Sequence, residues 1–99
     1  MAEKPVGRIE QMLKAEYPSL LWHHCPDSRG CHGPAGLPDF IVVGPRGIIC
    51  REGKPPGQHA RGRQVEWGYA LQAVGVSCSV WTAEDMFSGL VRAELEALL

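Results

Sequence analysis

Several things are missing from this 99-residue chain, and each absence removes a class of function. No apolar run approaches the ~18 residues that a membrane span needs. The first residues lack the apolar core of a secretory signal, so the expected location is the cytoplasm and no membrane partner is expected. Net charge is only −1, so the chain as a whole carries no electrostatic footprint for nucleic acid. There is no internal repeat and no linker, which leaves one domain spanning residues 1–99 with room for a single core. Four cysteines without a secretory context argue against a disulfide framework; Cys50 and Cys78, in apolar strand-like runs, read as small buried thiols.

What is present is a distribution. Residues 51–63 hold Arg51, Lys54, Arg61 and Arg63 against Glu52, while residues 84–99 hold Glu84, Asp85, Glu94 and Glu96 against Arg92. Charge is therefore polarised along the chain. Val6, Ile9, Met12 and Leu13 form a helical stripe that ends before Pro18. "SLLWHHC" (19–25) suits a short strand, and the Gly- and Pro-rich 26–38 must be a loop. "DFIVV" and "IICREGK" flank "GPRG", a hairpin in which opposed positions sum to 91. Val43 then faces Ile48, Ile41 faces Cys50 and Asp39 faces Glu52. Both faces of this hairpin are apolar, so both should be covered.

A second helix over about 63–74 presents Gln64, Trp67, Leu71 and Val74 on one stripe and stops at Gly75. A core strand follows over 76–82. Thr82 and Asp85 have capping-box spacing and open a helix that should bury Met86, Leu90, Val91, Leu95 and Leu98. The order α-β-β-β-α-β-α predicts an α/β fold with a mixed sheet between helices and a parallel crossover over 48–82. Trp22, Trp67 and Trp81 read as core residues.

The chemistry is concentrated at one end of the hairpin. Opposed strand positions hold Cβ atoms about 4.5–5.5 Å apart, and like charges there destabilise unless something positive intervenes. A divalent cation serves, because Mg²⁺ takes one or two carboxylates plus waters and phosphate oxygens. Lys54, two residues beyond Glu52, points to the same strand face and brings an ammonium beside the pair. These parts suit metal-assisted phosphodiester hydrolysis. The structural alternative is that Asp39 caps a strand end while Glu52 and Lys54 form an exposed ion pair.

"GLPDFIVV…REGK…RQVEW…AVGVSCSVW" resembles the small stand-alone, phage-type VRR-NUC members of the PD-(D/E)XK nuclease superfamily. The resemblance spans roughly residues 3–90. It rests on the ordered set Pro38-Asp39, Glu52-x-Lys54 and Gln64, and on the His24…Asp27-Ser28-Arg29 stretch. It implies a restriction-endonuclease-like fold and a metal-dependent DNA nuclease of phage replication, recombination or repair, acting in the host cytoplasm. Asp39 and Glu52 would ligate Mg²⁺ or Mn²⁺, Lys54 would be the catalytic lysine, and no small-molecule cofactor is implied. A first-helix carboxylate should join them. Glu3 is favoured by its distance to the His-Asp-Ser-Arg stretch, and Glu10 by its secure place inside the helix. The family's relatives make a homodimer acting on branched or junction DNA the expected assembly.

One departure from the pattern is Gly53, where the family carries an apolar residue; a bulge with positive φ is the expectation there. Gln64, at the start of its helix, is placed to position water or phosphate. His24, Ser28, Arg29, Arg61 and Arg63 are the expected DNA contacts. Gly53 and the polar "CR" before Glu52 support an alternative reading, a catalytically weak or inactive DNA-binding module of the same fold, to which "HHCPDSRGCH" (23–32), with two Cys and three His, offers ligands for a stabilising zinc.

Overall fold

In a computed structural model of the chain, residues 6–24, 38–54 and 62–99 are described. The elements are α1 (Val6–Glu16), β1 (Leu21–His24), β2 (Phe40–Gly44), β3 (Gly47–Gly53), α2 (Arg63–Ala73), β4 (Ser77–Trp81), α3 (Ala83–Ser88) and α4 (Leu90–Glu96). The four strands form one mixed sheet in the order β1-β2-β3-β4. The first two pairings are antiparallel and β3–β4 is parallel, as a crossover through α2 requires. The fold is thus mixed α/β with helices on a four-stranded sheet.

The hairpin register follows the sum of 91, with Phe40 opposite Arg51, Ile41 opposite Cys50 and Val43 opposite Ile48. Its loop is the two residues Pro45 and Arg46, since Gly44 already pairs with Gly47. Gly44 is needed for close approach: an added Cβ would collide with the Leu98 carbonyl and come within 2.7 Å of Leu20. The Arg46 N–H also donates to the Leu98 carbonyl at 3.1 Å, which ties the turn to the chain after α4.

Alternation along the strands separates two faces. The first carries Phe40, Val42, Ile49 and Trp81, which pack with Ile9, Met12, Leu13 and Tyr17 of α1 and its flank and with Val91, Leu95 and Leu98 of α4 and its flank. Positions 9, 12 and 13 in α1, and 91, 95 and 98 at α4, are the one-sided spacing of an amphipathic helix. Each such buried side chain contributes about 1.5–3 kcal/mol. Arg51 shares this face and is buried. Its guanidinium donates from Nε and Nη2 to Glu94 at 3.1 and 3.2 Å and from Nη1 to the carbonyls of Cys50 and Ser77 at 2.9 and 2.8 Å. Trp81 Nε1 donates to the same Glu94 carboxylate at 2.5 Å.

The second face departs from expectation. α2 lies along β4 but buries none of its residues, and Val74, placed on its inner stripe by sequence, is exposed. Leu21, Val43 and Ile48 occupy one row across β1, β2 and β3, and all three are exposed, Leu21 at 74%. The hairpin is therefore covered on one face only over that row. The final helix is also two helices. Gly89 at φ 90° ends α3 in the left-handed region, and the turn leaves Leu90 exposed. The capping box at α3 forms as its spacing predicts, with the Thr82 N–H donating to Asp85 at 2.8 Å and the Asp85 N–H to Thr82 Oγ1 at 3.3 Å.

Candidate functional site

Phe40–Arg51 pairing fixes where the preceding and following residues fall. Asp39 stands at the entry to β2 and Glu52 near the exit of β3, at the same end of the hairpin. Asp39 Oδ2 accepts a hydrogen bond from the Gly53 N–H at 3.0 Å, so this carboxylate clasps the end of β3. Glu52 is only 7% exposed, and its Oε1 accepts from Gln64 Nε2 at 2.7 Å. Lys54 is 8% exposed; its backbone N–H extends the parallel ladder to the Trp81 carbonyl at 2.9 Å. Asp39 does cap a strand end, but Glu52 and Lys54 are buried rather than an exposed pair.

Two buried charges of opposite sign on one face are costly unless hydrogen bonds or a ligand complete them. Gln64 supplies one such bond, because α2 opens one residue earlier and its first turn overlies the end of β3. Among the described residues, Lys54 makes no side-chain ion pair. Asp39, Glu52, Lys54 and Gln64 are thus the predicted residues gathered at this end of the hairpin.

β3 stays regular through Gly53, which pairs in register with Trp81. Among the described residues the glycines with positive φ are Gly47, Gly62, Gly75 and Gly89, so the bulge expected at Gly53 is not formed. The parallel partner strand explains the difference: continuous pairing to β4 leaves no place for an extra residue.

Two other expected residues lie elsewhere. Glu10 Oε2 sits 3.3 Å from His24 Nδ1, across from Phe40 on the packed face. The His24 ring stacks on Phe40 with centroids 4.2 Å apart and planes 7° from parallel. Its side chain is 2% exposed, so it does not reach out toward a DNA backbone here. Neither ring nitrogen makes a hydrogen bond among the described residues, the Glu10 contact being close but misaligned. Period-two spacing from Trp22, which packs against the core, was the signal for this placement. Arg63 is exposed and pairs with Glu66 at 2.9 Å. Glu3, Ser28, Arg29 and Arg61 lie outside the described residues, as do Cys25, Cys31 and His32 of the zinc alternative. Arg51, counted in the basic stretch, is consumed by Glu94 and contributes nothing to a basic surface.

A cavity of about 250 Å³ opens between α2 and the second face of the sheet. Glu52 and Gln64 form one end; Cys50, Cys78, Val80 and Pro38 form the floor, and Val65, Gly68, Tyr69 and Gln72 the α2 wall. Gln64, Trp67 and Leu71 of the stripe read from sequence are partly buried, with Val65 and Gly68 beside them, while Tyr69 and Gln72 stand at the exposed edge of the cavity. Gly68 leaves the wall thin, since a Cβ there would meet nothing within 4 Å. Cys50 and Cys78 are register partners on β3 and β4. Burial, with Cys78 alongside, pushes the Cys50 thiol up to about 11, so neither sulfur is a ready thiolate at neutral pH.

Hard carboxylate oxygens suit Mg²⁺ or Mn²⁺, which bind one or two protein carboxylates and complete their shell with water and phosphate. Asp39 and Glu52 fit that requirement in the type of donor they supply. Among the described residues, no cluster of three or more His, Cys, Asp or Glu is placed to hold a metal ion. No described helix is long and apolar enough to cross a membrane. Comparison with protein-family models, with curated proteins and with solved structures finds no match to this chain.

Proposed function

We propose that this chain is a Mg²⁺- or Mn²⁺-dependent deoxyribonuclease of the VRR-NUC type, with a restriction-endonuclease-like arrangement of its single domain. The observation that carries the reading is the convergence of Asp39, buried Glu52 and buried Lys54 at one end of the β2–β3 hairpin, with Gln64 fixing Glu52 at 2.7 Å. Asp39 and Glu52 would hold the cation, which would supply neutralisation of charge on the phosphoryl oxygens. Lys54 stabilises the charge that grows on the phosphate as water adds to phosphorus and the P–O bond to the leaving oxygen breaks; that oxygen leaves with a proton. Gln64 holds the Glu52 carboxylate in one rotamer. Since Glu10 sits beside His24 on the packed face, Glu3, outside the described residues, is left as the further carboxylate of the set.

A homodimer acting on branched or junction DNA is part of the proposal. The uncovered row Leu21, Val43 and Ile48 supports it, since apolar side chains contiguous across three strands favour burial against a second copy. Light scattering at micromolar protein tests the assembly, and Ile48→Glu should yield a monomer. The activity is tested with linear, nicked, flapped and four-way-junction DNA, with Mn²⁺ and with chelator. Cleavage that appears only with the metal supports the reading. Intact DNA on all four substrates sinks it in favour of a DNA-binding module that does not cut.

A further inference from the structure

We infer that the cavity beneath α2 is a receptor for one planar heteroaromatic ring, a nucleobase turned out of its stack beside the scissile phosphate at the Glu52 end of the cavity. The inference rests on the nuclease reading for the position of that phosphate, but the cavity itself is independent of it.

Drug-sized ligands take pockets of about 300–1,000 Å³, so 250 Å³ admits something smaller, on the scale of a single ring system. The lining matches a base in kind. Tyr69 stands at the rim, 71% exposed, with an aromatic face free to stack on a ring. Val65, Val80 and the two uncharged thiols of Cys50 and Cys78 form an apolar slot. Gln64 and Gln72 offer amides at its two ends, one bonded to Glu52 at 2.7 Å and one to the Cys78 carbonyl at 2.9 Å. Amides carry both donors and acceptors, the complement of a base edge. Because Glu52 and Gln64 line this cavity as well as the hairpin end, a nucleotide with its phosphate there has its base within reach of the slot. Base extrusion costs least where pairing is already broken, at nicks, flaps and branch points. The cavity therefore gives a physical reason for selecting such structures over intact duplex.

The test uses the full chain and flapped DNA carrying 2-aminopurine at each position around the branch, read by fluorescence in the presence of Ca²⁺, and in parallel by cleavage with Mn²⁺. Binding should brighten the probe at one position, because an unstacked 2-aminopurine loses its quenching neighbours. Gly68→Leu fills the slot and should abolish the brightening, while Gly68→Ala, whose methyl meets nothing, should retain it. Tyr69→Ala, a change at a side chain 71% exposed, should move the midpoint of the brightening to about tenfold higher protein concentration through lost stacking. If Gly68→Leu does not fold, the tyrosine variant decides alone. Cleavage by the wild type with no brightening at any position overturns the inference and leaves the nuclease standing. Brightening undiminished in the folded Gly68→Leu, or an unchanged midpoint in Tyr69→Ala, also overturns it. Brightening that depends on Gly68 and Tyr69 without any cleavage supports the receptor and sinks the nuclease.

Discussion

The two faces of the sheet are built to opposite specifications, and residues adjacent in sequence show it. Arg51 and Glu52 are both charged and both buried, yet alternation sends them to opposite sides. Arg51 goes to the packed face, where Glu94, Ser77 and two carbonyls satisfy its guanidinium and Trp81 lies beside it. Glu52 goes to the open face, where the Gln64 amide holds it beside a cavity. One face is closed by α1 and α4 around a continuous apolar core; the other carries a helix with no buried residue and an uncovered apolar row. Stability resides on the first face, and the groups suited to chemistry and binding on the second. A binding surface has to remain incompletely packed, and the cost falls on the side that contributes less to folding.

The sharpest separation is expected from the carboxylates. Asp39→Asn and Glu52→Gln should each lower cleavage by about 10⁴-fold or more, as loss of an essential group does. The fold should be kept or stabilised, because removing one of two neighbouring like charges relieves repulsion. Cleavage rates and thermal melts of both variants measure this. Wild-type rates in either would remove the metal site and with it the functional half of the contrast.

Arg51→Met and Lys54→Met sharpen the contrast, since both delete a buried positive charge. Arg51→Met strands Glu94 and should cost about 3–5 kcal/mol of stability in urea titrations. It should not alter the salt dependence of DNA binding, because its guanidinium faces the core. Lys54→Met should leave stability nearly unchanged and lower kcat by about 10²–10³ with little change in affinity. If the two exchange behaviours, the faces have been assigned the wrong roles.

Between apolar positions the difference is smaller. Leu13→Ala on the packed face should cost about 2–5 kcal/mol. Val74→Ala at the end of α2 should cost well under half as much, since a side chain 77% exposed gives up little water on folding. Equal losses would mean that α2 is as firmly docked as α1.

How much of this was legible in the sequence follows from how local each rule is. The hairpin register, the capping box and the meeting of Asp39 and Glu52 at one hairpin end depend on spacing rules over a few residues, and those were readable; Gln64 was placed with them by the order of motifs in the resemblance. The break at Gly89 was not, because a glycine inside an apolar helical pattern has no local signal that distinguishes a kink from a tolerated interior position. The stripe on α2 held at Gln64, Trp67 and Leu71, which are partly buried, and failed at Val74, which is exposed because the helix ends one residue before it. Arg51 was misread as surface charge because its partner Glu94 is 43 residues away. At Gly53 the favoured bulge assumed a free strand end, whereas β4 pairs with β3 to its last residue.

The smallest effect tests how dry the open face is at its floor. Cys50 lies under α2, two residues before Glu52 and on the same side of β3. If water reached it freely its thiol would titrate near the ordinary value of about 8.5. Burial, with Cys78 beside it, instead pushes it up to about 11. The folded protein therefore keeps a proton that the unfolded chain releases first, and the unfolded state binds fewer protons between those two values. Stability from this source is complete below about pH 8.5 and falls as pH rises toward 11, with no effect on the acid side. Urea midpoints at unit intervals from pH 7 to 11 should show that decline in the wild type and a shallower one in Cys50→Ala. The residual slope belongs to Cys78 and Tyr17, whose protons are also held more tightly in the fold. Identical slopes in the two proteins would mean that water penetrates beneath α2 to the sheet, and the cavity floor would lose the apolar character on which its selectivity for a planar ring depends.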